Sequence, residues 1–373
     1  METSPLPNLA ANRSFLQYRC GQAARERVLA GAKDCAYDQQ RQRLYVTTAK
    51  KLVIVDMKAR KVLESVELGG TLQACDIAPD FKFLVIAPIA AQFVYRVNLA
   101  WDKVEDMEIS QIKFKGGASE TGVFSVAVGS DNSTIFTTTF AGSGGVKLRR
   151  LAAKTDTIEE VGQVNMDTVL TAGGNRDFAA VAQGNISSGP LSVYDFKEQK
   201  LKPVADLTGF NYEIACDREG SFFARPTRKG FELFDSKGGR LGVLEGNPVI
   251  AAAFHPKTDA LFVMRHGEVN LQEYDIQGKK ISNAYPLDKP LVIRGDVRET
   301  VTLQPVGRDA VMASFRVNVN FRTYASGRLK IAEDGETLFA VIPAGVYSFP
   351  IKASAPSPVD TKPKPKIKIV DPS

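Results

Sequence analysis

The sequence predicts an all-β protein built around one closed core, and three observations carry that expectation. Short apolar runs rich in Val, Ile, Leu, Phe and Tyr recur along its 373 residues, each bounded by Gly, Asp, Asn, Pro or Lys, which is how successive antiparallel strands are written. A helical spacing of apolar residues is not sustained over a normal helix length anywhere. The runs also come in units: a hairpin of two strands, a third strand often ending in Asp, and in most units a fourth. A sheet of four such strands has an apolar face that it cannot bury alone and two open edges. Packing sheets radially about an axis covers both faces and leaves only short edges. The expected architecture is therefore a β-propeller of four-stranded antiparallel blades.

The units follow in chain order. The first joins CAYDQQRQRLYV (Cys35–Val46) to LVIVD (Leu52–Asp56) and VLESVEL (Val62–Leu68), and the second joins CDIAPDFKFLVI (Cys75–Ile86) to FVYRVN (Phe93–Asn98) and VEDMEI (Val104–Ile109). The third is VAVGSDNSTIFTT, VKLRRL and IEEVGQV, and the fourth is LTAGGNRDFAAV, LSVYD and LKPVADL. IACDREGSFFA, FELFD and RLGVLEG make the fifth, and AAFHPKTDALFV with LQEYD the sixth. TLQPVGRDAVMA with NFRTY and LKIAEDGETLFAV with VYSF complete eight hairpins. In each the turn is polar and supplies the Gly, Asn or Asp that tight turns require.

The second strands begin at Leu44, Leu84, Ile135, Phe178, Phe222, Leu261, Val311 and Leu338, so six of the spacings fall between 39 and 51 residues and the last is 27. About 27 residues do not hold four strands of about five residues and their turns. Seven blades, with the stretch Lys289–Gly327 as an elaboration, are favoured over eight. Ring closure asks for a strand from one end of the chain to complete a blade begun at the other. RERVLA (Arg25–Ala30) precedes the first complete unit, and the last unit, ending VYSFPI, has no fourth strand; these two are expected to pair.

Arg43–Leu68 (RLYVTTAKKLVIVDMKARKVLESVEL) and Ala251–Ile276 (AAAFHPKTDALFVMRHGEVNLQEYDI) resemble the YVTN/WD40-like β-propeller repeat families, with Tyr45, Val46 and Thr47 approaching the YVTN tetrapeptide. The resemblance covers roughly Ala32 to Ile351, without the WD dipeptide of a WD40 repeat. It implies a propeller that binds partners through its axial faces and implies no substrate. Residues 1–14 read as an extended N-terminal arm, 15–353 as the propeller, and 354–373, with five prolines and alternating Lys-Pro, as a linker or tail of polyproline-II character. Such ends suit an excised domain or a subunit with tethering arms.

Lys and Arg number 48 against 42 Asp and Glu, for a formal charge of +6. The basic residues are spread along the chain, which argues against a nucleic-acid interface. No apolar run reaches the length of a membrane span, and METSPLPNLAANRS lacks the pattern of a secretory leader, so the cytoplasm is slightly favoured and the compartment otherwise left open. Cys20, Cys35, Cys75 and Cys216 form no C-x-x-C pair and read as small buried residues, Cys20 with Cys35 being the first pair to test in an oxidising compartment.

No catalytic, cofactor or metal constellation is written in the chain. His255 and His266 are the only histidines, too few for a metalloenzyme motif. Ala141–Gly145 (AGSGG) lacks the following helix that a phosphate loop needs. The aspartates Asp56, Asp195, Asp235 and Asp275 close third strands, where an Asx turn is expected. The small-residue first strands suggest that Cys35, Cys75 and Cys216 lie near the axis. Partner-binding candidates are Trp101 in LAWDKVE as an interface anchor, His266 between second and third strands, and Arg294, Arg298 and Arg308 of an Arg-rich stretch running to Arg328. The expected function is a non-enzymatic protein–protein interaction scaffold in a larger assembly, with no cofactor. The alternative is a propeller enzyme or small-ligand protein, of lactonase, lyase or sugar-binding type, with convergent polar residues and a bound metal at the channel mouth.

Overall fold

Along Arg43–Thr48, successive side chains point to opposite faces of the sheet, and each face meets a different neighbour. Leu44 and Val46 join a cluster with Phe339, Val341 and Val346, whereas Tyr45 joins one with Ile77, Leu84 and Tyr95. Strands buried on both faces read as continuous apolar runs, and that is what seven packed sheets require here.

The computed structural model describes residues 26–29, 31–101, 103–141, 144–183, 188–208, 213–227, 230–247, 249–258, 260–265, 270–275, 280–286, 293–294, 303–305, 328–342 and 345–351. They form a β-propeller of seven blades. Blade 1 contains Ala32–Asp38, Arg43–Thr48, Lys51–Asp56 and Lys61–Glu67, hydrogen-bonded in that order, and blade 2 repeats the meander with Leu72–Ile77, Phe83–Pro88, Phe93–Asn98 and Ile109–Lys113. Blade 3 spans residues 120–165, blade 4 residues 169–208, blade 5 residues 215–245 and blade 6 residues 249–286, each a four-stranded antiparallel meander. Blade 7 is the sheet Arg328–Ile331, Thr337–Ile342 and Gly345–Pro350. The one helical element among the described residues is a single 3-10 turn, Val104–Asp106. It occupies part of the segment expected to be the fourth strand of the second unit, which instead begins at Ile109.

The first strand of each blade lies innermost. Leu72–Ile77 is buried throughout, whereas the fourth strand Lys61–Glu67 has no buried residue. Seven apolar clusters follow the ring, one at each junction between adjacent blades. The junction of blades 7 and 1 joins Phe339, Val341 and Val346 to Cys35, Leu44, Val46, Val53 and Val55, with Leu29 among them.

That seam differs from the sequence expectation in one respect. The N-terminal strand Glu26–Leu29 does stand there, but its backbone pairs antiparallel with Ile293–Arg294 and Leu303–Pro305, not with Gly345–Pro350. The long connection between blades 6 and 7 brings short strands to both edges of the N-terminal strand, and those edges are then filled. The segment read as a further hairpin, TLQPVGRDAVMA, thus contributes Leu303–Pro305 to this clasp; its remainder lies outside the described residues.

Candidate functional site

The turns between first and second strands share one end of the ring, and several repeat a local conformation. Phe81, Asn132 and Arg176 have φ of 56, 62 and 58°, Gly220 and Gly335 have 68 and 72°, and the amides of Phe81, Asn132, Arg176 and Gly335 each donate to the carbonyl three residues back. Gly and Asn adopt this left-handed region readily. Arginine in the same place is unusual, and Arg176 uses it to extend across the axis.

Its turn is seated by close approach. A Cβ on Gly173 would lie 2.6 Å from the Asp217 carbonyl oxygen, and one on Gly174 would lie 2.8 Å from Cα of Pro256 in the blade 6 turn. From there the Arg176 guanidinium reaches blades 2, 3 and 7. Nη1 donates to Asp76 Oδ2 at 2.9 Å and to the Val128 carbonyl at 3.0 Å, Nη2 to Asp76 Oδ1 at 3.3 Å, and Nε to Glu333 Oε1 at 2.9 Å. Asp76 also accepts from the amides of Val128 at 2.8 Å and Ile77 at 3.0 Å.

A second pair crosses the channel nearer its other end. Arg328, at the start of the blade 7 inner strand, donates from Nη1 to Glu213 Oε2 of blade 5 at 2.6 Å, and both side chains are 6% exposed. Between these levels Lys330 Nζ stands 3.9 Å from Asp34 Oδ1, and Asp34 Oδ2 accepts the Cys75 amide at 3.1 Å. The axial cavity, of about 120 Å³, is lined by inner-strand residues of six blades, among them Val126, Leu170, Cys216, Ala252 and Lys330. It has room for several water molecules.

The carboxylates along this axis are not equivalent. Burial would raise Asp76, but the Arg176 and Lys330 charges and the Arg176 and Val128 hydrogen bonds outweigh it and hold the group below its usual range. For Glu213 and Glu333 burial prevails over Arg328 and Arg176 respectively, and both lie above theirs. Burial also pushes the thiols of Cys35, Cys75 and Cys216 upward, which makes them poor nucleophiles.

Sequence reasoning placed other residues in the site. Trp101 is 5% exposed and packs in the junction of blades 1 and 2, with the Arg43 guanidinium 4.0 Å above its ring, so it is not a surface anchor. Arg328, read with the surface arginines, is buried on the axis. His266, Arg298 and Arg308 lie outside the described residues, as does the side chain of Arg294. His255 is buried at a turn: Nε2 donates to the Gly335 carbonyl at 2.9 Å and Nδ1 accepts the Lys257 amide at 3.2 Å. Asp56, Asp195 and Asp235 cap their turns by accepting from the amides of Ala59, Lys197 and Lys237. Cys20 lies outside the described residues, and of the three described cysteines Cys216 lines the cavity. Among the described residues, no three His, Cys, Asp or Glu side chains cluster to hold a metal ion, and no helix is long and apolar enough to cross a membrane.

No family model matches the sequence, and no curated protein matches it. Solved structures do match in fold. The β-propeller domain of Myceliophteria thermophila Cps50 (Swd1) aligns with a TM-score of 0.52 at 12% identity, covering 63% of this chain and 80% of that one. A chain of Kuenenia stuttgartiensis hydrazine synthase aligns with a TM-score of 0.61 at 11% identity, covering 87% and 97%. At such identities the likeness establishes the propeller fold, which by itself carries no activity.

Proposed function

We propose that this propeller is a non-enzymatic protein–protein interaction scaffold, one component of a larger assembly, whose partner docks on the face formed by the turns between first and second strands. The observation that carries the reading is the axial network: the polar groups converging on the channel are spent on one another, from Arg176 with Asp76 and Glu333 to Arg328 with Glu213.

The turn face itself is knit into one surface. Gln39 Oε1 accepts the Asp334 amide, Arg41 donates to the Phe81 carbonyl, Asn132 to Asp80, the Ser130 amide to the Arg176 carbonyl, and His255 to Gly335. A preorganised surface loses little freedom on docking. Its exposed tips, Asp131, Arg218, Glu219, Lys257 and Glu336, offer charges of both signs for register and orientation. Arg294, Arg298 and Arg308 remain proposed contacts, His266, written between second and third strands, is proposed as a separate contact at the other end of the ring, and residues 1–14 and 354–373 are proposed tethers.

Cross-linking in the native cell, followed by repetition with R218E/K257E and with K50E/K115E on the opposite face, tests the reading. The same partner should be lost only with the first pair. A second reading, a small-ligand or enzymatic propeller, draws on the cavity beneath Arg176; turnover of a small molecule without any partner would replace the first reading with it.

A further inference from the structure

The wall of the axial cavity carries Asp76, Glu213 and Glu333 beside Arg176, Arg328 and Lys330, and among these Arg176 bridges two carboxylates, Asp76 and Glu333. We propose that Asp76–Arg176–Glu333 is a proton-operated latch: Glu333 takes up a proton, releases Nε of Arg176, and leaves the blade 4 turn held from the blade 2 side, so that solvent reaches the buried Cys216 on the cavity wall.

Geometry selects Glu333 as the releasing side. Its side chain is 28% exposed, against 11% for Asp76 and 6% for Glu213, so protons reach it without unfolding. Asp76 is anchored by two guanidinium nitrogens and two backbone amides, whereas Glu333 meets the guanidinium at Nε. Burial raises Glu333 while the Arg176 charge and hydrogen bond lower it, so it is the bridge to Arg176 that a proton on Glu333 opposes. On acidification Arg176 therefore loses blade 7 while keeping blade 2.

The groups that face this bridge come from several elements. Arg176 faces Glu333 from blade 4, Asp76 from blade 2 and Asp334 from the same turn. Lys330, on the blade 7 inner strand, faces Asp76. His255 of blade 6 packs against Gly335, and is itself faced by Glu273, Lys257 and Asp334. His255 is the other group able to respond to acid at this turn, and the experiment must separate the two.

Hydrogen exchange of the peptide covering Gly173–Asp177, corrected for the intrinsic pH dependence of exchange, makes that separation in the full chain. At neutral pH, Glu333→Gln should exchange about tenfold faster than wild type, the scale of one lost charge-assisted bond. Acidification to about pH 5 should speed the wild type toward the variant while leaving Glu333→Gln nearly flat. Glu336→Gln, on the same turn and exposed, should behave as wild type. Mass-resolved labelling of Cys216 by a small thiol reagent, compared between proteins at one pH, should rise in Glu333→Gln. Equal protection of wild type and Glu333→Gln at neutral pH would overturn the latch. So would acid acceleration that is the same in both, which would assign the response to His255.

Discussion

Arg328, on the inner strand of blade 7, and Glu213, just before the inner strand of blade 5, meet at 2.6 Å, with the whole of blade 6 standing between those blades in the ring. The contact is possible because the inner strands converge on the axis, where blades that are not neighbours come within side-chain reach. A buried pair of this kind is costly to break and cheap to replace as a unit. Glu213→Ala should therefore cost about 3–5 kcal/mol, because a guanidinium is left in the interior without its counter-ion, while Glu213→Leu with Arg328→Leu should be close to neutral. Urea midpoints of the three proteins check this; equal loss in the single and double variants would deny the coupling.

The single tryptophan gives an optical test of the blade 1–blade 2 junction. Trp101 is buried beneath the Arg43 guanidinium, so its emission should be blue-shifted and poorly quenched by acrylamide. Arg43→Ala removes the cover and a cation–π contact worth about 0.5–2 kcal/mol. Quenching should then increase measurably, with a modest drop in the unfolding midpoint.

His255 sets part of the acid response of stability. Burial, the largest influence, lowers its pKa from the 6.5 of a free imidazole. The native state then binds fewer protons than the unfolded chain just below that value, so this contribution is complete above it and is lost as pH falls through the window. Glu213 and Glu333 have the opposite sign, since their raised values mean that stability is lost as pH rises through them. His255→Gln should flatten the decline of the urea midpoint between about pH 7 and pH 5; an unchanged slope would exclude His255 as its source.

Gly174 is required by proximity. A methyl group there would stand 2.8 Å from Cα of Pro256, backbone that cannot swing aside. Gly174→Ala should cost about 1–3 kcal/mol as an overpacked contact and speed exchange in the turn bearing Arg176. Calorimetry showing an unchanged melting temperature would place that turn farther from blade 6.

The fold was legible because its physics is periodic. Runs such as LYVTT and LVIVD, punctuated by Asp and Gly, demand strands, and strands buried on both faces demand neighbours on both sides. The axial site was much less so. Asp76, Glu213 and Glu333 fall in different units, and nothing local in the sequence states that inner strands bring them together. One signal was present: the turn residues written Asn in GSDNST and Gly in REGSF and EDGET stand opposite Arg in GGNRDF, an arginine where the backbone favours glycine. The partner of the N-terminal strand is not legible in the sequence because the connection that captures it lies outside the repeat.

The alternation seen along Arg43–Thr48 restricts how such a chain can drift. Deleting one residue would hand Tyr45 to the neighbour that receives Val46, so a single lost codon would corrupt two junctions at once. Substitutions disturb only one. Descendants of this sequence are thus free to change letters almost everywhere and to gain or shed length only at the bends, which is how a shape persists after its spelling has become unrecognisable.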